Sequence, residues 1–168
     1  MRHVLIVLNE RAGTLLDRDP VAVKTELRQR LARAGRKVDV LLAHKRGIVR
    51  AIDRGAASDY DTIIVGGGDG SVGYAAGRLA GSEKTLGVLP LGTVNLLARD
   101  IGVPANLDEA IAALEASVPR TIDLGMLNGR AFHTLSGMGF FSQMARAREE
   151  TRGLPGKALR VLAAAARA

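Results

Sequence analysis

Glycines gathered around one carboxylate and one hydroxyl, at the end of an apolar run, form the most chemically pointed stretch of this chain. Thr62–Val65 reads as a buried strand and stops abruptly in Gly66-Gly67-Gly68-Asp69-Gly70-Ser71. Glycine lets a backbone approach a phosphate closely. The free N–H groups and positive dipole of a following helix start favour an anion there. Ser71 adds a hydroxyl or caps that helix. Asp69 separates this stretch from a plain phosphate loop. A carboxylate about 4 Å from a phosphate charge is repelled by roughly 4 kcal/mol at an effective dielectric of about 20. One helix-terminus interaction returns only about 0.3–1 kcal/mol. Repulsion wins unless Mg²⁺, a bridging water or a sugar hydroxyl intervenes. Asp69 therefore points to a metal–nucleotide complex or a place beside the phosphates, the plainer alternative being that it closes a turn.

A second stretch repeats the plan. Leu89-Pro90-Leu91-Gly92-Thr93-Val94-Asn95-Leu96-Leu97 again leads from a strand through a glycine turn toward a helix, offering the Thr93 hydroxyl and the Asn95 amide. Read alone, Thr93 is an ordinary cap and Leu96-Leu97 a core stripe. Two such loops in one sheet favour a shared phosphate pocket. Two familiar motifs fail here. No Lys-Ser/Thr pair follows the glycines, so this is not a Walker A loop. Gly68-x-Gly70-x-x-Gly73 fits G-x-G-x-x-G but follows a third strand, and Glu83 and Asp100 miss the ribose-binding position.

The elements that must hold these loops alternate. His3–Leu8, Val38–Leu42, Thr62–Val65 and Thr85–Leu89 read as strands. Helices are expected after Asp19-Pro20, ending at Gly35, over His44–Ala57 with Ile48 and Ile52 on one face, over Ser71–Leu79, and from Thr93 and Leu107. This order implies a parallel sheet with helices on both faces, a Rossmann-like α/β nucleotide-binding domain. Ligands then bind beyond the carboxyl ends of the strands. Near Pro119 the pattern turns to β-like pieces, Arg120–Leu127 and Arg130–Leu135, joined by the hairpin signal Asn128-Gly129. The expected division is an α/β domain over 1–118 and the start of a β-rich domain over 119–168.

Composition narrows the chemistry. The 168 residues contain no cysteine, which excludes disulfides, thiolate nucleophiles and Cys-based zinc sites and suits a reducing cytoplasm. His3, His44 and His133 do not pair at ligand spacing, so a metal here is expected to be Mg²⁺ held by oxygen. Aromatics make up 3% of the chain, too few for nucleic-acid stacking platforms. No run approaches transmembrane length. The net charge of +7 is uneven, with 13 basic and 7 acidic groups in residues 1–60. That balance fits a nucleotide or an anionic membrane, or simply a solvated surface.

Gly-Gly-Asp-Gly-Ser followed by Pro-Leu-Gly-Thr-x-Asn-x-x-Ala-Arg resembles the diacylglycerol-kinase catalytic family, which includes bacterial lipid kinases and sphingosine kinases. Asn9-x-x-Ala12-Gly13 is similar to that family's first nucleotide loop. Asp123-Leu124-Gly125 and Gly137-x-Gly139-Phe140 resemble the opening strands of its second domain. The first block alone is also shared with phosphofructokinases and NAD kinases. The resemblance implies that Asn9 to Gly13, Gly67 to Ser71 and Thr93 line an ATP site, with Gly92 in the second loop and Asn95 ordering it. It implies Asp69 near the transferred phosphate and Mg²⁺, and Asp123 in an acidic, water-bridged metal network. The expected activity is transfer of the γ-phosphate of Mg-ATP to a lipid hydroxyl.

The departures are Tyr74 for a usual Glu, Leu96 for Asp or Asn, Ala43 for Thr, and Phe141 for Asp. The family's general base lies in a Gly-Glu type motif in the distal second domain. No equivalent occurs before Ala168, so the reading is an incomplete kinase, losing about 10²- to 10⁴-fold in rate without that base. The alternatives are a catalytically silent nucleotide-binding module, and a kinase for NAD or a sugar phosphate. A helix over 154–168 with Leu154, Leu159 and Leu162 opposite Lys157, Arg160 and Arg167 would rest on an anionic membrane or on a neighbouring domain. Expected partners are ATP and a lipid substrate at an anionic surface, without nucleic acid, and a homodimer stays open. The location would be cytoplasmic or peripheral to the membrane.

Overall fold

The computed structural model describes residues 3–133. The chain divides into two compact units, Met1–Thr134 and Leu135–Ala168, and the described residues belong to the first. Along the chain run β1 (His3–Asn9), α1 (Gly13–Leu16), α2 (Pro20–Arg33), β2 (Lys37–Ala43), α3 (Arg46–Ala56), β3 (Thr62–Gly67), α4 (Asp69–Leu79), β4 (Thr85–Pro90), α5 (Leu96–Asp100), α6 (Leu107–Glu115), β5 (Gly125–Leu127) and β6 (Arg130–Phe132). β1 to β4 form one parallel sheet in the order β2-β1-β3-β4, with Val4 opposite Thr62 and Thr62 opposite Thr85.

Strand alternation builds two cores. On one face Val4, Ile6, Leu8, Val40, Ile64 and Leu89 pack with Leu27 and Leu31 of α2 and Ile111 of α6. On the other, Leu5, Val7, Ile63, Val65 and Val88 meet Ile48 and Ile52 of α3, Val72 and Ala75 of α4, and Leu97 of α5. Each fully buried aliphatic side chain contributes about 1.5–3 kcal/mol relative to exposure. Sandwiched between helices, β3 is buried along its whole length, as parallel strands generally are.

Local signals start the helices. Asp19 accepts from the Val21 amide at 2.9 Å with Pro20 in the first helical position, and Asn106 accepts from the amides of Asp108 and Glu109. Glu26 and Arg30, one turn apart on α2, pair at 3.3 Å. At the β5–β6 turn, Asn128 (φ +50°) and Gly129 (φ +73°) take the left-handed conformations that match the twist of a two-residue hairpin. β6 approaches the small-residue face of α4, where a Cβ built on Gly77 would lie 3.5 Å from the Ala131 Cβ. The stretch 117–124, where a change of domain is expected, forms neither helix nor strand.

Four expectations need adjustment. α3 starts at Arg46 and not at His44, because His44 to Gly47 close a turn with Lys45 at φ +48°. α4 starts at Asp69 and not at Ser71, with Gly68 as its cap residue. No helix starts at Thr93: the chain stays in a loop until Leu96, held by Asn95 in the left-handed region. Residues 120–124 form no strand, and the short α1 carried no clear signal. Leu135, Gly137 to Phe141 and the 154–168 tail lie outside the described residues.

Candidate active site at the carboxyl edge of the sheet

Parallel strands bring their carboxyl ends to one edge, so the segments after β1, β3 and β4 emerge side by side. β3 is the middle partner, and Gly67 pairs in register with Pro90. The Leu91 amide donates to the Gly67 carbonyl at 3.2 Å, and the Thr14 amide donates to the Leu91 carbonyl at 3.3 Å. Three loops far apart in sequence are thereby stitched together by backbone alone.

The two glycine loops touch at Gly68 and Gly92. A Cβ on Gly92 would collide with the Gly68 Cα, and it would stand 2.8 Å from Asn95 Oδ1 and 3.2 Å from the Gly68 nitrogen. No side chain fits between them. Gly67 is similarly enclosed: a Cβ there would come within 3.2 Å of Ser71 Oγ and 3.8 Å of the Asn9 Cβ. Asn9 and Ser71 therefore flank the same point. Gly70 has open space around it, and so does Gly13, the first residue of α1.

Capping chemistry shapes each loop. Ser71 and Val72 both donate their amides to the Gly68 carbonyl, leaving the amides of Asp69 and Gly70 without an intrahelical acceptor at the start of α4. Asn9 Oδ1 accepts from the Arg11 amide at 3.2 Å, and its carbonyl accepts from the Ala12 amide at 2.9 Å. Ala12 is buried at the cap of α1. Asn95 folds back on Gly92, with Oδ1 accepting from the Gly92 amide at 2.8 Å and Nδ2 donating to the Gly92 carbonyl at 2.6 Å. Thr93 and Val94 lie exposed on the loop this clamp closes.

Asp69 is half-buried between the loops. Its Oδ2 accepts from the Asn95 amide at 3.1 Å and its Oδ1 from the Leu96 amide at 2.6 Å. An ionised carboxylate offers about four acceptor positions, so capacity for a water or cation remains. Asp123 is exposed in the coil before β5 and makes no hydrogen bond or ion pair among the described residues. Among those residues no three His, Asp or Glu side chains stand close enough to hold a metal together. The donor set suits a cation that keeps its waters and leans on phosphate oxygens, as Mg²⁺ does with nucleotides, more than a cage of protein ligands.

Of the expected site residues, the structure gathers Asn9, Ala12, Gly13, Gly67 to Ser71, Gly92, Thr93 and Asn95 at one edge. Asp123 shares no hydrogen bond or ion pair with them among the described residues. Sequence reasoning missed the backbone amide of Leu96. It also missed the pairing of Glu10 with His44, whose Nδ1 it meets at 2.6 Å beside the first loop; no spacing rule links residues 34 apart. A shallow depression of about 430 Å³ lined by Arg30, Arg33, Ala34 and Glu115 lies at the far ends of α2 and α6, away from this edge.

A four-stranded parallel sheet with two glycine loops in contact beyond its strand ends defines an α/β domain of the class whose ligands bind outside the carboxyl ends of the strands. The chain belongs to the diacylglycerol kinase catalytic domain family, whose model matches residues 3–127. It is 37% identical over 145 residues to a probable lipid kinase YegS-like of Pseudomonas aeruginosa, covering 84% of this chain and 45% of that protein. To the diacylglycerol kinase of Bacillus subtilis it is 29% identical over 148 residues, covering 86% and 48%. A solved diacylglycerol kinase from Bacillus anthracis superposes with a TM-score of 0.66 at 30% identity, covering 78% of this chain and 45% of that one. The chain thus spans about half the length of the curated relatives it matches. Among the described residues no helix is long and apolar enough to cross a membrane.

Proposed function

We propose that this chain is the nucleotide-binding half of a lipid kinase that transfers the γ-phosphate of Mg-ATP to a lipid hydroxyl. The contact between Gly68 and Gly92 carries the reading. Two side-chain-free backbones meeting at a helix start leave N–H groups, and no bulk, facing a polyphosphate. Asn9, Ser71 and Thr93 would add amide and hydroxyl donors around it, and Asp69 would hold a water of the Mg²⁺ shell. Bound Mg²⁺ would neutralise charge on the β- and γ-phosphates. Asp123 would join this set through water in the metal network. In the reaction the lipid oxygen bonds to the γ-phosphorus, the bond to the β,γ-bridging oxygen breaks, ADP leaves, and the hydroxyl proton passes to a general base. None of the described residues is assigned as that base.

The division into a 1–118 nucleotide domain and a lipid-facing portion from 119 onward belongs to the same proposal, as does action in the cytoplasm at an anionic membrane surface. The test is transfer of γ-labelled phosphate from Mg-ATP into a mixed lipid extract, with ATP calorimetry alongside. Label in a lipid spot supports the full reading. Binding without transfer supports the nucleotide half alone. Neither binding nor transfer refutes both, and preferential labelling of NAD or a sugar phosphate would move the chain to another kinase class.

A further inference from the structure

We infer that Asp69 is a positioning residue: its carboxylate holds the second glycine loop in register with the first, through the backbone amides of Asn95 and Leu96. This rests on the nucleotide reading of the site. The geometry is unusual for an acid in a phosphate loop. Asp69 occupies the first turn of α4, yet both of its oxygens accept hydrogen bonds from residues 26 and 27 positions further on.

Those two amides belong to the start of α5, where Asn95 is the cap residue. An asparagine in that position ordinarily caps its own helix. Here Asn95 makes no side-chain cap bond to α5, because its amide group is turned back on both backbone groups of Gly92. Its backbone sits at φ +54°, ψ +51°, an uncommon conformation for a residue with a side chain. Asp69, from the other loop, accepts instead from the amide of the cap residue itself and from the first amide of α5. One carboxylate thus connects the start of α4, where an anion would dock, to the loop carrying Thr93. The Gly68–Gly92 contact leaves that loop no slack to shift inward.

Charge and position predict opposite signs. If Asp69 acted only through its charge on phosphate or cation, neutralising it would improve binding of ATP without a divalent ion, since a repulsion disappears. If it positions the second loop, neutralising it weakens that same metal-free binding.

The experiment uses the 168-residue chain with Asp69→Asn and Asp69→Ala, each checked for cooperative unfolding. Hydrogen exchange at Asn95 and Leu96 is read without ligand, and ATP affinity is measured in EDTA and in Mg²⁺. In both variants those two amides are expected to exchange about tenfold faster or more, charge-assisted bonds being the strong class. Metal-free ATP affinity falls as well. Asp69→Asn, which keeps one acceptor oxygen, loses less than Asp69→Ala. Unchanged exchange in the ligand-free chain overturns the inference, and so does tighter metal-free binding in Asp69→Asn. If the wild-type chain binds no ATP, the nucleotide reading falls, while the exchange result still decides whether Asp69 holds the loop. Should Asp69→Ala fail to fold, the near-isosteric Asp69→Asn carries both readouts.

Discussion

Replacing Gly92 with alanine puts one methyl group where two backbones meet, and the cost can be worked from the contacts it would make. The new Cβ would overlap the Gly68 Cα and stand 2.8 Å from Asn95 Oδ1. Carbon atoms rest at roughly 3.5–4.0 Å, so the loops must part by about 1 Å. Neither loop yields easily. Gly68 carries the first turn of α4 and Asn95 is clamped to Gly92 from both sides. Overpacking of this kind costs about 1–3 kcal/mol, or a fall of about 2–12 °C in Tm for a chain of this size. A displacement of about 1 Å at a positioning contact can cost about 10²-fold in function. We expect ATP affinity to fall at least about tenfold by calorimetry, alongside the Tm loss by differential scanning. Gly70→Ala is the control. Its Cβ meets nothing within 4 Å and Gly70 lies inside α4, so Tm should hold or rise slightly. ATP affinity should still drop, because the methyl group occupies space in front of the helix start. A Gly92→Ala chain with unchanged Tm and unchanged ATP affinity would refute the apposition of the two loops.

Other outcomes follow from particular contacts. Ile52→Ala, at a side chain with no exposure in the core beside α3, should cost about 2–5 kcal/mol in chemical denaturation; a loss well under about 1 kcal/mol would contradict that packing. Asn95→Gly should destabilise less than Asn95→Ala, since both lose the clamp on Gly92 but only alanine strains the left-handed backbone; equal Tm values would argue against that conformation. Arg18 and Arg30 hold the carboxyls of Asp108 and Glu115 below the usual carboxylate range, chiefly by direct hydrogen bonds. Because these folded-state values are depressed, the stabilisation is present above the unfolded carboxylate range and is lost as pH falls through the folded values. Thermal melts should therefore show an acid limb that flattens in an Asp108→Asn, Glu115→Gln double variant; an identical limb would exclude these bridges as its source. Burial and the hydrogen bond to Asp39 raise the Tyr60 hydroxyl, so its contribution persists below the unfolded tyrosine range and disappears as pH rises through the folded value. Tyr60→Phe should remove that alkaline component from the melts, and an unchanged alkaline limb would show that it arises elsewhere.

The sequence by itself determined the layered α/β architecture and pointed to the residues of the candidate site. Apolar runs such as Val4–Leu8 and Thr62–Val65 have no polar alternation, so they require cover on both faces, and helices with stripes such as Leu27/Leu31 and Ile48/Ile52 supply it. The cap at Asp19-Pro20 and the turn at Asn128-Gly129 were legible because they act over two or three residues. The glycine loops stood out because few other roles demand so little side chain directly after a buried strand. Only the tertiary structure decided how those loops meet. That Gly68 and Gly92 touch, that Asn95 turns away from its own helix, and that Asp69 accepts from the amides of Asn95 and Leu96 all depend on β3 and β4 being neighbours in the sheet. The same holds for Glu10 and His44, brought together by the β1–β2 pairing. Spacing rules carry information across a turn of helix or a hairpin. Contacts between residues 26 or 34 apart are set by strand order and register, which arise only when the whole sheet buries its two faces together.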